Sequence, residues 1–217
     1  MFAVVAKDVA AELRTKENLS AMVVFALLVL VIFNFAFELK GVDLATLGPG
    51  VLWVAFSFSG ILGLGRSFAG EKDKGALDGM LLAPVDRGAI FLGKAVGNLL
   101  FITAMEAVTL PLYVILFNAN FPWWPLVLYI FLGTCGFAAV GTLLSAVAAS
   151  TRMREVMLPI LLFPVIVPLL VAAVKLLSGT LESLPFDDYS NWFSLLVAFD
   201  VIFAVVSFLV FEYVVEE

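Results

Sequence analysis

Two acidic residues, Glu106 and Asp200, lie in the middle of long apolar runs. A charged side chain in hydrocarbon is costly, so such residues usually face a bundle interior, a cavity or a partner. One interpretation places both along a substrate path or at a subunit contact. The other has them protonated, paired across the bundle, or hydrogen-bonded for packing to Thr103, Thr109 or Ser207. Because no second group supports acid–base chemistry, the sequence predicts no catalytic residue.

Other reactive residue types are scarce in the 217 residues, which hold no histidine and one cysteine, Cys135. Histidine is the commonest catalytic base and a common ligand of metals and haem. The nucleotide-binding pattern GxxxxGK[ST] is also absent. The sequence therefore predicts no metal site, no tightly bound cofactor and no nucleotide site in this chain.

Charge concentrates instead in Gly70–Gly88, "GEKDKGALDGMLLAPVDRG", where seven of nineteen residues are charged. The stretch "GALDGMLLAP" predicts a short helix that ends before Pro84. Asp86 is suited to cap the next helix, with Lys94 in its first turns. A short amphipathic helix between two spans is typical of a docking element. A solvated loop with interfacial anchors fits the same pattern.

The remaining chain is strongly apolar: 63% of residues are hydrophobic, and the mean hydropathy is +1.13. Apolar runs of about 20 residues match the thickness of a bilayer core. The predicted fold is a single all-α integral membrane domain over residues 1–217, with a cytoplasmic coupling segment at 68–88. Six spans are predicted, at about 19–37, 50–67, 89–117, 124–149, 156–176 and 192–211.

The distribution of basic residues predicts the orientation. With the N-terminus inside, ten of the twelve Lys and Arg residues are cytoplasmic, and only Lys40 and Lys175 lie outside. Both termini and the charged segment are then cytoplasmic. The connection "NANFPWWP" is expected to be short, whereas "LLSGTLESLPFDDYSNW" is expected to be a longer outer loop.

Residues 1–18 have their own pattern, in which Phe2, Val9 and Leu13 follow helical spacing while Lys7 and Arg14 point the other way. The pattern predicts a helix that lies in the membrane interface, with a short cytoplasmic tail as the alternative.

In the fifth span, three prolines predict kinks: Pro159, Pro164 and Pro168. Asn34 in the first span is expected to hydrogen-bond across helices.

The run from Gly48 to Asn98 resembles the permeases of type-2 ABC exporters, and most of all the CcmB family of cytochrome c maturation. The matching pieces are "GPGVLWVA", "GRSFAGEKDKGALDGMLLAP" and "IFLGK". A second match is the proline-containing stretch "LPILLFPVIVPLLVAA". Only these stretches are specific to the family. The chain length, the number of spans and the orientation also agree with it, so the resemblance covers most of the chain.

The resemblance implies that the charged segment carries a coupling helix, which seats in a cleft of a separate ATPase subunit. ATP-driven closure of the ATPase dimer would then move the spans. Glu71 matches the acidic residue of the family segment, and a charge-assisted hydrogen bond to the ATPase or to the N-terminal helix is its expected role. The expected coupling residues are Glu71, Lys72, Lys74, Leu77, Asp78, Met80, Leu81 and Pro84.

The resemblance also implies the surroundings of the protein. It would be a non-catalytic permease in the bacterial inner membrane, working as a homodimer in contact with lipids and with no nucleic acid. Its expected protein partners are a CcmA-like ATPase that binds ATP, CcmC-like and CcmD-like membrane proteins, and a CcmE-like haem carrier. ATP hydrolysis would drive either export of haem as cargo or release of the haem-loaded carrier.

Two other functions fit parts of the sequence. A type-2 ABC permease for a lipid, a polysaccharide or a drug would carry a similar charged segment. A membrane enzyme acting on lipid would need a polar cluster near one interface. The stretch "FDDYSN", Phe186 to Asn191, is the one such cluster, and it fits an outer loop better.

Overall fold

The computed structural model describes residues 1–38, 44–73, 79, 86–119, 122–151 and 153–214. Within these ranges the chain forms seven α-helices and no strand. The helices are α1 (Phe2–Thr15), α2 (Glu17–Glu38), α3 (Leu44–Asp73), α4 (Arg87–Leu116), α5 (Trp123–Ala149), α6 (Arg154–Leu181) and α7 (Phe186–Val214). All but α1 are long and apolar enough to cross a membrane. The predicted all-helical fold with six spans is confirmed.

The helices extend beyond several of the predicted spans, most clearly at the outer connection between α6 and α7. The sequence predicts a long loop there, but α6 continues to Leu181 and α7 already begins at Phe186. Only residues 182–185 connect them, so the expectation of a longer loop is wrong. Asp187 and Asp188 lie in the first turn of α7, where carboxylates favourably meet the helix dipole. The "FDDYSN" cluster is therefore helical.

The bundle is built around α3 and α5, which bury the largest share of their surfaces, while α2 and α7 are the most exposed of the spans. α3 contacts α2, α4, α5 and α6, and α5 in turn contacts α4, α6 and α7. In a bilayer the lipid tails are as apolar as the side chains, so the hydrophobic effect does not drive helices together. Close van der Waals packing holds such helices together instead. The main core accordingly includes fully buried Leu52, Leu162 and Leu169 on α3 and α6.

A second, smaller core joins the C-terminal parts of α3, α5 and α7 to the N-terminal part of α4. It comprises Phe68 of α3, Ile90 and Phe91 of α4, Leu143 and Ala149 of α5, and Phe211 of α7. The ring of Phe211 lies 5.2 Å from that of Phe91 and 6.1 Å from that of Phe68. We call this group the aromatic end cluster. It fixes the C-terminal part of α7 to the helices on either side of the charged segment.

Two smaller expectations concern α2 and α6. The Asn34 side chain of α2 donates a hydrogen bond of 2.6 Å to the carbonyl oxygen of Leu116 at the end of α4, so the expected contact across helices is present. Pro159, Pro164 and Pro168 all lie inside α6, which is a single helix from Arg154 to Leu181. The prolines therefore do not divide this span into separate helices.

Candidate functional site

The charged segment connects the C-terminal end of α3 to the N-terminal end of α4. Glu71 and Lys72 belong to the last turn of α3, which ends at Asp73. The other expected coupling residues lie outside the described residues: Lys74, Leu77, Asp78, Met80, Leu81 and Pro84. The predicted helix in "GALDGMLLAP" falls on the same stretch, of which only Gly79 is described.

The start of α4 is capped as predicted from the sequence. An Asp86 carboxylate oxygen accepts hydrogen bonds from the backbone N–H groups of Gly88 at 2.6 Å and of Ala89 at 3.4 Å. A side chain that satisfies the free N–H groups of the first turn defines where a helix begins. The helix after the charged segment therefore has a fixed first turn, close to the aromatic end cluster.

A buried ion pair ties α1 to this part of α4. The Nζ atom of Lys94 lies 2.9 Å from the Oδ2 atom of Asp8, and the two side chains are 2% and 14% exposed. Lys94 also approaches the carbonyl oxygen of Ser67 at 3.5 Å, and its Nζ atom lies 5.5 Å from the centre of the Phe68 ring. One lysine thus connects α1, α3 and α4 within two turns of the charged segment.

Glu106 lies in the bundle interior, where its residue is 4% exposed. The hydroxyl group of Thr134 on α5 donates a hydrogen bond of 2.6 Å to the Oε1 atom of Glu106. The contact crosses from α4 to α5, whereas Thr109, one of the expected partners, bonds to the Met105 carbonyl of its own helix. Glu106 therefore takes part in helix–helix packing.

A second polar contact repeats this arrangement closer to the charged segment. The Asn98 side chain of α4 donates a hydrogen bond of 2.9 Å to the hydroxyl oxygen of Thr142 on α5, and both residues are buried. Asn98 and Glu106 are separated by the same number of residues as Thr134 and Thr142, as the register of two antiparallel helices requires. The α4–α5 seam therefore carries two buried hydrogen bonds.

Asp200 reaches the same region of α5 from α7. Both of its carboxyl oxygens are buried, and neither has a hydrogen-bond partner among the described residues. The carboxyl group packs against Gly136, where a Cβ atom would collide with Oδ1 of Asp200 and Cδ1 of Leu169. The structure thus places Glu106 and Asp200 against neighbouring positions of one turn of α5, at Thr134 and Gly136.

Sequence reasoning found both intramembrane carboxyl groups but missed Thr134 and Asp8 as partners. Thr134 is one of several hydroxyl residues in an apolar helix, so nothing in the sequence marks it as the partner of Glu106. Asp8 had a weak signal. A lysine inside an apolar helix, such as Lys94, needs a carboxylate or a carbonyl partner, and Asp8 is one of few acidic residues in the N-terminal helix.

Comparison with known proteins finds a family over nearly the whole chain. The profile of the family described as "CcmB protein" matches residues 1–216. Curated relatives include Heme exporter protein B of Paracoccus denitrificans, 30% identical over 173 residues, which are 79% of each chain. The proteins of the same name from Rhodobacter capsulatus and Pseudomonas aeruginosa are 26% and 25% identical. The first alignment covers 86% of both chains; the second covers 85% of this chain and 83% of the relative.

Proposed function

The chain belongs to the CcmB family, and on that premise we propose that it is the membrane permease of an ABC transporter complex for cytochrome c maturation. In this proposal a separate CcmA-like subunit binds and hydrolyses ATP, and this chain carries out no chemistry itself. The movement drives either export of haem or release of a haem-loaded, CcmE-like carrier.

The observation that carries the proposal is the connection between α3 and α4. Both helices extend into the charged segment Gly70–Gly88, since α3 ends at Asp73 and α4 starts at Arg87, directly after its N-cap Asp86. The aromatic end cluster and Lys94 hold the two helix ends together. A partner that pushes on residues 74–85 would therefore act on both helices, and a two-state change of the bundle could follow.

The proposed assembly follows from the family. Two copies of this chain would combine with two ATPase subunits, beside CcmC-like and CcmD-like membrane proteins. The distribution of basic residues supports an orientation with both termini and the charged segment in the cytoplasm. The bacterial inner membrane is then the proposed location.

The test is a strain that lacks the gene and is complemented with the wild-type chain. We expect covalent haem, measured by peroxidase staining of c-type cytochromes, to disappear in the deletion strain and to return with the wild-type gene. Normal c-type cytochromes in the deletion strain would contradict the proposal. They would favour a type-2 ABC permease for another cargo.

A charge reversal tests the coupling role in the same strain. Glu71→Lys is expected to abolish haem attachment and recovery of the ATPase subunit with the purified chain, because it reverses a charge at the proposed docking segment. Glu155→Lys is the matched control, since Glu155 is an exposed residue in the first turn of α6 at the same end of the bundle. If both variants are expressed normally and show the same haem attachment and the same recovery of the ATPase subunit, the coupling role of Glu71 is contradicted.

A further inference from the structure

The N-terminal helix α1 is fixed to the bundle at two points that belong to different spans. Near its middle, Asp8 pairs with Lys94 of α4. Near its end, the Oε1 atom of Glu12 accepts a hydrogen bond of 2.7 Å from the backbone N–H of Leu19 in α2. Lys16 turns the chain between these helices with a positive φ of 55°, and its N–H donates to the Glu12 carbonyl. α1 is therefore a bridge from α4 to α2.

The contact between α1 and α4 is close as well as charged. A Cβ atom added to Gly93 would lie 2.8 Å from the Cβ atom of Val4 and 3.1 Å from the backbone oxygen of Met1. Only a glycine lets the first turn of α1 approach α4 this closely. The neighbouring Lys94 then reaches Asp8 with almost no exposure to solvent.

The Lys94–Asp8 ion pair lies near the start of α4, which a displacement of the charged segment would move first. Lys94 is in the second turn of α4, after the Asp86 cap, and it also contacts Ser67 and Phe68 near the end of α3. A buried ion pair adds little to stability compared with apolar packing, so a role in fixing one arrangement is a better reason for its presence.

We propose that the Lys94–Asp8 pair is a positioning contact for coupling, and this inference rests on the proposed function. A displacement of residues 74–85 moves the start of α4, and Lys94 passes the displacement to α1 through Asp8. The Glu12–Leu19 contact then passes it to α2. Lys94 and Asp8 touch neither ATP nor cargo, and their effect is to make α1, α2 and α4 move together.

Two variants interrupt this connection in different ways. Lys94→Met removes the charge and leaves Asp8 beside the Lys7 ammonium group, whose Nζ atom is 3.4 Å from Oδ1 of Asp8. Gly93→Ala keeps both charges but forces the first turn of α1 away from α4. Gly97→Ala is the matched control on the same helix, because its Cβ atom would lie 3.6 Å from Oδ2 of Asp8, an ordinary van der Waals distance that displaces neither helix.

Each variant is measured as the complex with its ATPase subunit, for assembly, for ATP hydrolysis and for haem attachment. We expect both test variants to assemble and to hydrolyse ATP like the wild type, while haem attached per ATP hydrolysed falls about fivefold or more. Lys94→Arg, which keeps the charge, should restore coupling, and Gly97→Ala should behave as the wild type. A parallel loss of assembly, hydrolysis and haem attachment, or no loss at all, would overturn the inference.

A second measurement does not depend on the cargo. In a Cys135→Ser background, spin labels at exposed Ala10 of α1 and Ile115 of α4 report the distance between these helices with and without trapped nucleotide. The inference requires one constant distance in the wild type and a shifted or broadened one in Lys94→Met and Gly93→Ala. If c-type cytochromes stay normal in the deletion strain, the proposed function is wrong, and the spin-label distances still decide whether α1 follows α4.

Discussion

At the scale of single residues, two buried polar groups of α4, Asn98 and Glu106, have their partners on α5. One interpretation of the sequence offers Thr103, Thr109 or Ser207 as partners of the two intramembrane carboxyl groups, and the structure gives Thr134 as the partner of Glu106. The sequence could not indicate this, because an apolar span has no polar face that reveals its rotation. Within a membrane, hydrogen bonds between helices contribute about 0.6 kcal/mol on average and at most about 1.7 kcal/mol.

The Glu106–Thr134 bond can be measured with a pair of conservative variants. Thr134→Val is expected to lower the free energy of unfolding by about 0.6–1.7 kcal/mol, because it removes the donor to a buried carboxyl group. Thr109→Val should change it much less, because the Thr109 hydroxyl bonds within its own helix. Reversible unfolding in mixed detergent micelles measures both. Equal losses would mean that the α4–α5 contact contributes nothing specific.

The close contact between Asp200 and Gly136 leads to a prediction with a built-in rescue. Gly136→Ala should destabilise the protein by about 1–3 kcal/mol, because the new methyl group overpacks against Asp200 of α7 and Leu169 of α6. Adding Asp200→Ala should recover the part of the loss that comes from the collision with Asp200, while the contact with Leu169 of α6 remains. Thermal unfolding in detergent is the measurement, and Gly65→Ala, whose Cβ would meet only Leu158 at 3.9 Å, is the control. A double variant less stable than Gly136→Ala would contradict this account.

At the scale of the helices, local signals were the most reliable. The Asp86 cap and the six apolar helices were predicted, because capping and hydropathy act within a few turns. The sequence did not predict the length of α6 or the start of α7, because polar residues such as Asp187 are as common at a helix end as in a loop. The position of α1 on α4 depends on the Gly93 approach and on Lys94, which only the packed structure brings together.

The aromatic end cluster predicts that two residues near the end of α7 differ sharply in importance. Phe211 is fully buried between Phe68 and Phe91, whereas Tyr213 is 72% exposed. Phe211→Ala should lower stability by about 3 kcal/mol through the cavity it leaves, and Tyr213→Ala should change it little. The midpoint of thermal unfolding in detergent separates them. Similar midpoints would show that the cluster does not hold α7 in place.

At the scale of the whole molecule, the distribution of charge implies one orientation, which can be read with a thiol reagent. In a Cys135→Ser background, a cysteine is placed at exposed Met153 or at exposed Glu182. An impermeant maleimide added outside the inner membrane should label Glu182→Cys only, because Met153 is expected on the cytoplasmic side. Both should react after permeabilisation. Labelling of Met153→Cys from outside would reverse the topology.

The two hydrogen bonds between α4 and α5 also limit how the bundle can open. Sliding one helix along the other by a turn would separate Asn98 from Thr142 and Glu106 from Thr134 at once. The two helices are thus expected to move together as one rigid body, so that the bundle rearranges at other helix boundaries.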